Sequence, residues 1–213
     1  MVIYIPIGID CGVSDTLKEL NIREKAYPFD HIVSYNGICE IIKNDFKDFL
    51  PDLNKETVII GNDNKPNVFN SKYGLKFIHD DLYKQEEIDK YNRRIDRFKE
   101  LLKREDNELI VFIRKGHAYH NHNEFKFKNE LLDTIELDNY LKETYPKLNY
   151  KIIVILLCYN CYKLTAYKDI SKNIEIHYSL ITDIRDDEWT NKCITGHIYK
   201  NYFTHIYKKM III

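Results

Sequence analysis

The sequence is short of the residues that break a chain into pieces. It has 7 glycines and 5 prolines in 213 residues, and no Gly-, Ser- or Pro-rich stretch reads as a linker. A single domain over 1–213 is therefore expected, long enough to bury a sizeable core. An excess of one charge is also lacking. With 32 basic and 33 acidic residues the formal net charge is -1, so there is no global basic field and no nucleic-acid partner is expected. No run is long and apolar enough to span a bilayer, so no membrane association is expected. The opening MVIYIPIG has neither the basic start nor the small-residue cleavage site of a secretory signal. The five cysteines, Cys11, Cys39, Cys158, Cys161 and Cys193, are odd in number and show no framework spacing. Reduced thiols in a cytoplasmic setting are the simplest expectation.

What is present is a globular composition, 44% apolar and 31% charged, with Ile, Lys, Asn and Tyr recurring throughout. Apolar runs rich in β-branched residues predict buried strands over Val2–Ile7, Thr57–Ile60, Leu109–Ile113, Lys151–Leu157 and Ile174–Leu180. Helical periodicity predicts helices over Ser14–Leu20, Ile38–Leu50, Gln85–Lys103 and Glu130–Tyr145, the second and fourth stopped by Pro51 and Pro146. Strands alternating with helices imply parallel pairing. The expected fold is a three-layer α/β domain with a mainly parallel central sheet and helices on both faces. Asn62 to Lys65 with Pro66 is a turn cluster, and Tyr73–His79 reads as a short strand or an irregular segment. From Trp189 on the pattern is ambiguous, with Ile194–Tyr207 readable as a strand pair or a helix.

In an open α/β sheet, ligands bind beyond the carboxyl ends of the strands. The first strand ends near Gly8, and Gly8 and Gly12 flank a turn that holds Asp10 and Cys11. A helix begins at once, so its amino end faces that turn and favours negative charge. A thiolate is such a charge. The position suits an activated nucleophile, although a small residue that merely fits the turn would look the same.

A cysteine nucleophile needs a base and a group that orients the base. His79 stands in Phe77-Ile78-His79-Asp80-Asp81, where an apolar run meets two acids, and His31 closes Pro28-Phe29-Asp30-His31. His79 is the favoured base and His31 the competitor; a satisfied surface or core histidine is the bland reading of either. Arg93, Arg94 and Arg97 share one predicted helix, with Arg93 and Arg97 on one face. Arg114 follows the strand Leu109–Ile113, where it could clamp a carboxylate or phosphate. Solvated ion pairs are the plain alternative for the helix arginines. Cys158-Tyr-Asn-Cys161 lacks the second ligand pair that zinc needs and does not open a helix. His117, His120 and His122 read as part of a polar loop. No metal or other cofactor is expected.

The order Gly8 to Cys11, Pro28-Phe29-Asp30, Phe77-Ile78-His79-Asp80, Arg93-Arg94-Ile95-Asp96-Arg97-Phe98 and Phe112-Ile113-Arg114 resembles the papain-like cysteine peptidase family DUF1796. The match is close over roughly the first half of the chain. The resemblance implies a thiol-dependent hydrolase with Cys11 as nucleophile, His79 as base and Asp80 or Asp30 as acidic partner, acting on an acyl or peptide substrate. His31 stands where the family usually carries Trp after Pro-Phe-Asp. Such proteins occur in bacteria and large DNA viruses, and the Ile/Lys/Asn/Tyr bias suits a viral source, in host cytoplasm or virion. Two other readings stay open. One is a binder or transferase for phosphate or sugar-nucleotide ligands, held by Gly8, Gly12, Arg93, Arg97 and Arg114. The other is a non-catalytic viral structural or interaction protein.

Overall fold

A computed structural model describes residues 1–9, 11–34, 36–60, 66–118, 123–159 and 170–181. Asp10, Cys161, Cys193, His120, His122 and the ambiguous region from Trp189 lie outside the described residues. The described chain is α/β, and it builds two four-stranded sheets where the sequence pattern suggested one.

The first sheet is parallel throughout. It contains β1 (Val2–Pro6), β6 (Leu109–Ala118), β7 (Tyr150–Tyr159) and β8 (Ile174–Ile181), in the order β1-β6-β7-β8. Its registers include Ile5 opposite Phe112 and Phe112 opposite Ile152. The central stretches of β1, β6 and β7 are apolar because the core closes over them: Ile5, Ile113, Ile152, Ile153 and Val154 are all buried. Between β6 and β7 the chain crosses over through α4 (Asn123–Thr144), as parallel neighbours require.

The second sheet is antiparallel, in the order β2-β5-β4-β3: β2 is Ile32–Ser34, β3 Thr57–Ile60, β4 Pro66–Asn70 and β5 Leu75–Phe77. The expected parallel role of Thr57–Ile60 is thus corrected. Its nearest apolar neighbour begins at Pro66, a spacing that suits a hairpin and is too short for a parallel crossover.

Three helices come before the crossover: α1 (Gly12–Glu19), α2 (Cys39–Lys43) and α3 (Gln85–Leu102). Along α3 the buried residues Tyr91, Ile95, Phe98, Leu101 and Leu102 share one face. That face meets an edge-to-face aromatic chain. Phe77 contacts Tyr91, Phe49 contacts Phe77, Phe29 contacts both Phe49 and Phe98, and Phe98 reaches Phe112 of the parallel sheet. The two sheets are therefore tied through one aromatic core.

Two further expectations change. The helix expected over Ile38–Leu50 stops at Lys43, because Asp45, Phe46 and Asp48 take left-handed backbone. Burial of Phe46 and Phe49 in the aromatic core accompanies that reversal. Strand β6 continues five residues past Ile113, to Ala118. Arg114 therefore lies inside a strand, not at its carboxyl end, and His117 is on a strand and not in a loop.

Candidate functional site

The loop after β1 begins at Gly8, whose φ of +92° is costly for any other residue. A Cβ there would lie 2.1 Å from the Ser34 hydroxyl oxygen and 2.8 Å from Arg114 Nη1. This close approach joins the two sheets. The Ser34 amide donates to the Ile9 carbonyl at 2.8 Å, so β2 ends beside the loop that leads to Cys11.

Cys11 is the N-cap residue of α1, half-buried and not in a disulfide. Gly12, Val13 and Ser14 behind it are buried. The positive end of the helix dipole therefore acts where the thiol sits. One turn on, the Asp15 amide donates to the Cys11 carbonyl at 2.9 Å.

The histidines come from the antiparallel sheet. Ile32 of β2 pairs with Phe77 of β5, so His31, one residue before that pair, and His79, two residues after it, emerge at the same end. Their rings meet edge-on with centroids 5.9 Å apart. His31 is in left-handed backbone, φ 61°, which histidine tolerates better than most residues. Its Nδ1 lies 3.8 Å from Asp15 Oδ1. His31 is half-buried and His79 exposed. Burial lowers the His31 pKa below the ordinary imidazole value, opposed by Asp15 and helped by Arg23, His79 and Arg94. The neutral, proton-accepting ring is thereby favoured.

The two aspartates named from sequence adjoin these histidines in the chain but are engaged elsewhere. Asp30 is fully buried and ion-paired with Arg23, while its Oδ1 has no hydrogen-bond partner. Burial pushes its carboxyl up to about 6 against the pull of Arg23 and Arg94. Asp80 accepts from Lys90 Nζ at 2.6 Å and from the Tyr91 hydroxyl at 2.5 Å. Burial works against its charge, yet those two bonds and the Lys90 charge hold its pKa below the usual carboxylate value.

The arginines separate. Arg93 points to solvent and Arg97 donates to the Ala26 carbonyl at 2.5 Å. Arg114 is 1% exposed. Its guanidinium pairs with Glu130 of α4, donates to the Ile7 carbonyl at 2.8 Å, and reaches Ser34 through its hydroxyl at 3.3 Å and its carbonyl at 3.4 Å. It underpins the loop that carries Gly8. Asp15 and Arg23 of the cluster were not singled out from the sequence, and Arg94 was named only with its helix neighbours. Asp15 could have been found, since it stands four residues past Cys11 on one helix face. Arg94 had no signal that separated it from Arg93. Among the described residues, no group of three or more His, Cys, Asp or Glu side chains is placed to hold a metal, and no helix is long and apolar enough to cross a membrane.

The family described as "Putative papain-like cysteine peptidase (DUF1796)" matches residues 2–160. The chain belongs to this family. An uncharacterised protein of Acanthamoeba polyphaga mimivirus is 31% identical over 137 residues, covering 53% of this chain and 60% of the relative. The match thus leaves well over a third of that relative's length uncovered. No solved structure matches the chain. The DUF1796 match contains Cys11, His31, His79 and every strand of the antiparallel sheet.

Proposed function

We propose that this DUF1796 member is a cysteine hydrolase or acyltransferase acting on an acyl or peptide substrate, with Cys11 as nucleophile and His31 as base. One observation carries the reading. A helix capped by a cysteine packs where the antiparallel sheet delivers two imidazoles, and Asp15 of that helix lies 3.8 Å from His31.

In this reading His31 takes the Cys11 proton and the thiolate attacks the acyl carbon. First-turn amides of α1 at Val13 and Ser14, a position where an α-helix has no intrahelical acceptor to offer, receive the oxyanion. The carbon–nitrogen or carbon–oxygen bond breaks and His31 returns the proton to the leaving group. Water then cleaves the thioester and restores the thiol. His31 is preferred over His79 because it is half-buried and held by Asp15, whereas the acid beside His79, Asp80, is committed to Lys90 and Tyr91. Asp30, the residue before His31, is paired with Arg23. The phosphate-binding alternative needs a free Arg114, and its guanidinium is directed to Glu130, Ile7 and Ser34.

The test is the rate at which Cys11 reacts with iodoacetamide as pH is varied, resolved from the other thiols by mass spectrometry. An inflection well below the model thiol value of about 8.5 is expected. Cys39 is an internal control. It is buried, and burial reinforced by Asp133 pushes its thiol up to about 12, so it stays unlabelled. An ordinary Cys11 profile, or full turnover in Cys11→Ala, overturns the proposal.

A further inference from the structure

Four arginines direct their guanidinium groups to protein acceptors. Arg23 pairs with Asp30, Arg97 donates to Ala26, Arg104 pairs with Asp106 and Glu108, and Arg114 pairs with Glu130. Arg94 does not. Its Nη1 is buried and meets no acceptor, and its guanidinium carbon lies 5.4 Å from the centre of the Tyr91 ring. Packing on that ring covers one face of the guanidinium, and because Arg94 as a whole is only half-buried a ligand can approach its in-plane edge, although Nη1 itself is covered.

The surroundings place this donor at the histidine cluster. Tyr91 bonds Asp80, the residue after His79, and the charge of Arg94 is felt at Asp80, Asp30 and His31. Neither nearby carboxylate satisfies it. Both oxygens of Asp80 are engaged by Lys90 and Tyr91, and Asp30 is bonded to Arg23 through Oδ2 alone. A buried guanidinium N–H without an acceptor is rare in folded proteins. Asp30 Oδ1 is an unpartnered acceptor as well, but it and Arg94 make no hydrogen bond to each other, so an acceptor that arrives with the substrate would complete the donor.

We propose that Arg94 is the specificity-determining residue of the site, receiving a carboxylate carried by the substrate close to the bond that Cys11 attacks. This rests on the Cys11–His31 reading. A carboxylate fits better than a phosphate, because Asp30 and Asp80 stand nearby and a doubly charged group would be repelled by both. A bidentate or single charge-assisted bond at this depth is worth about tenfold or more in affinity.

Two measurements test it. The first is the ratio of Cys11 alkylation rates with iodoacetate, which carries a carboxylate, and with iodoacetamide, which does not. The ratio should fall about tenfold in Arg94→Gln, recover in part in Arg94→Lys, and stay at the wild-type value in Arg93→Gln. A reactive Cys11 whose ratio is the same in all four proteins overturns the assignment while leaving the nucleophile intact. The second does not depend on the thiol. The imidazole carbon resonances of His31 and His79 are followed by NMR while acetate, and separately inorganic phosphate, is added. A saturable shift with acetate that vanishes in Arg94→Gln supports carboxylate binding at Arg94, and an inert Cys11 would then overturn the nucleophile reading and not the carboxylate site. No saturable shift, or a response to phosphate stronger than to acetate, overturns it.

Discussion

The His31 ring meets the His79 ring edge-on, with centroids 5.9 Å apart, and the two are not equivalent. His31 is half-buried with Asp15 beside its Nδ1, and His79 is exposed. General-base catalysis contributes about a hundredfold to ten-thousandfold where a base is well placed. His31→Gln is therefore expected to slow Cys11 alkylation at pH 7 by about a hundredfold, and His79→Gln to leave it nearly unchanged. Asp15→Asn should fall between them, with its pH profile displaced, since it loses the charge that opposes burial at His31. Single-variant rates with iodoacetamide decide the matter. Equal losses for the two histidines would mean that they act as one unit.

The approach of Gly8 to Ser34 makes a sharper prediction about stability. Gly8→Ala places a methyl group 2.1 Å from the Ser34 oxygen on backbone with φ of +92°. Strain and overpacking together should cost at least about 2 kcal/mol. Ser34→Ala removes the clashing oxygen but keeps its Cβ, which lies 3.4 Å away. The double variant should recover part of the loss, and the shortfall from additivity measures the contact. Urea denaturation of the four proteins gives the cycle.

Arg114 makes a third. Its partner Glu130 is largely buried, with a side chain 12% exposed. Removing one member of such a pair leaves an uncompensated charge, at about 3–5 kcal/mol. Arg114→Ala should therefore lower the urea midpoint strongly. Arg114→Ala with Glu130→Ala should be less damaging than the single change. A ligand clamp would behave otherwise, keeping its stability and losing binding alone.

These residues show how far the sequence could be read. Runs such as Lys151–Leu157 declare themselves because a strand buried on both faces is apolar through its centre. Helix α3 declares itself because one face must pack and the other must dissolve. The second sheet is less legible. Its strands are three to five residues long, and nothing local tells a short hairpin strand from a parallel one. Arg114 misled for a related reason. A charge after an apolar run reads as a strand end, and only the distant Glu130 lets the strand continue through it. The turn holding Cys11 was visible from its glycines and the following helix. The meeting of His31 with His79 was not, since it depends on the pairing of Ile32 with Phe77, 45 positions apart. The choice between Arg93 and Arg94 was likewise hidden, because neighbouring residues on a helix differ by about 100° of rotation and only the packed structure says which face is wet.

Asp30 gives the last prediction, in the dependence of stability on pH. It is completely buried, and burial raises its carboxyl from 3.8 to about 6 even though Arg23 and Arg94 pull the other way. The folded protein thus holds this proton more tightly than the unfolded chain. The resulting stability is fully present below about pH 4 and is lost as pH rises to about 6. A rise of that size corresponds to about 3 kcal/mol. Asp30→Asn has no such proton. The stability of the native protein relative to Asp30→Asn should therefore fall by about 3 kcal/mol between pH 3 and pH 7, with most of the change between pH 4 and 6. Urea unfolding of both proteins at four pH values would measure it. A flat difference would mean that the Arg23 pair keeps Asp30 ionised throughout. A falling one would mean that the carboxyl of the residue before His31 changes charge near pH 6, so that acidification removes a negative charge from the Arg23 pair.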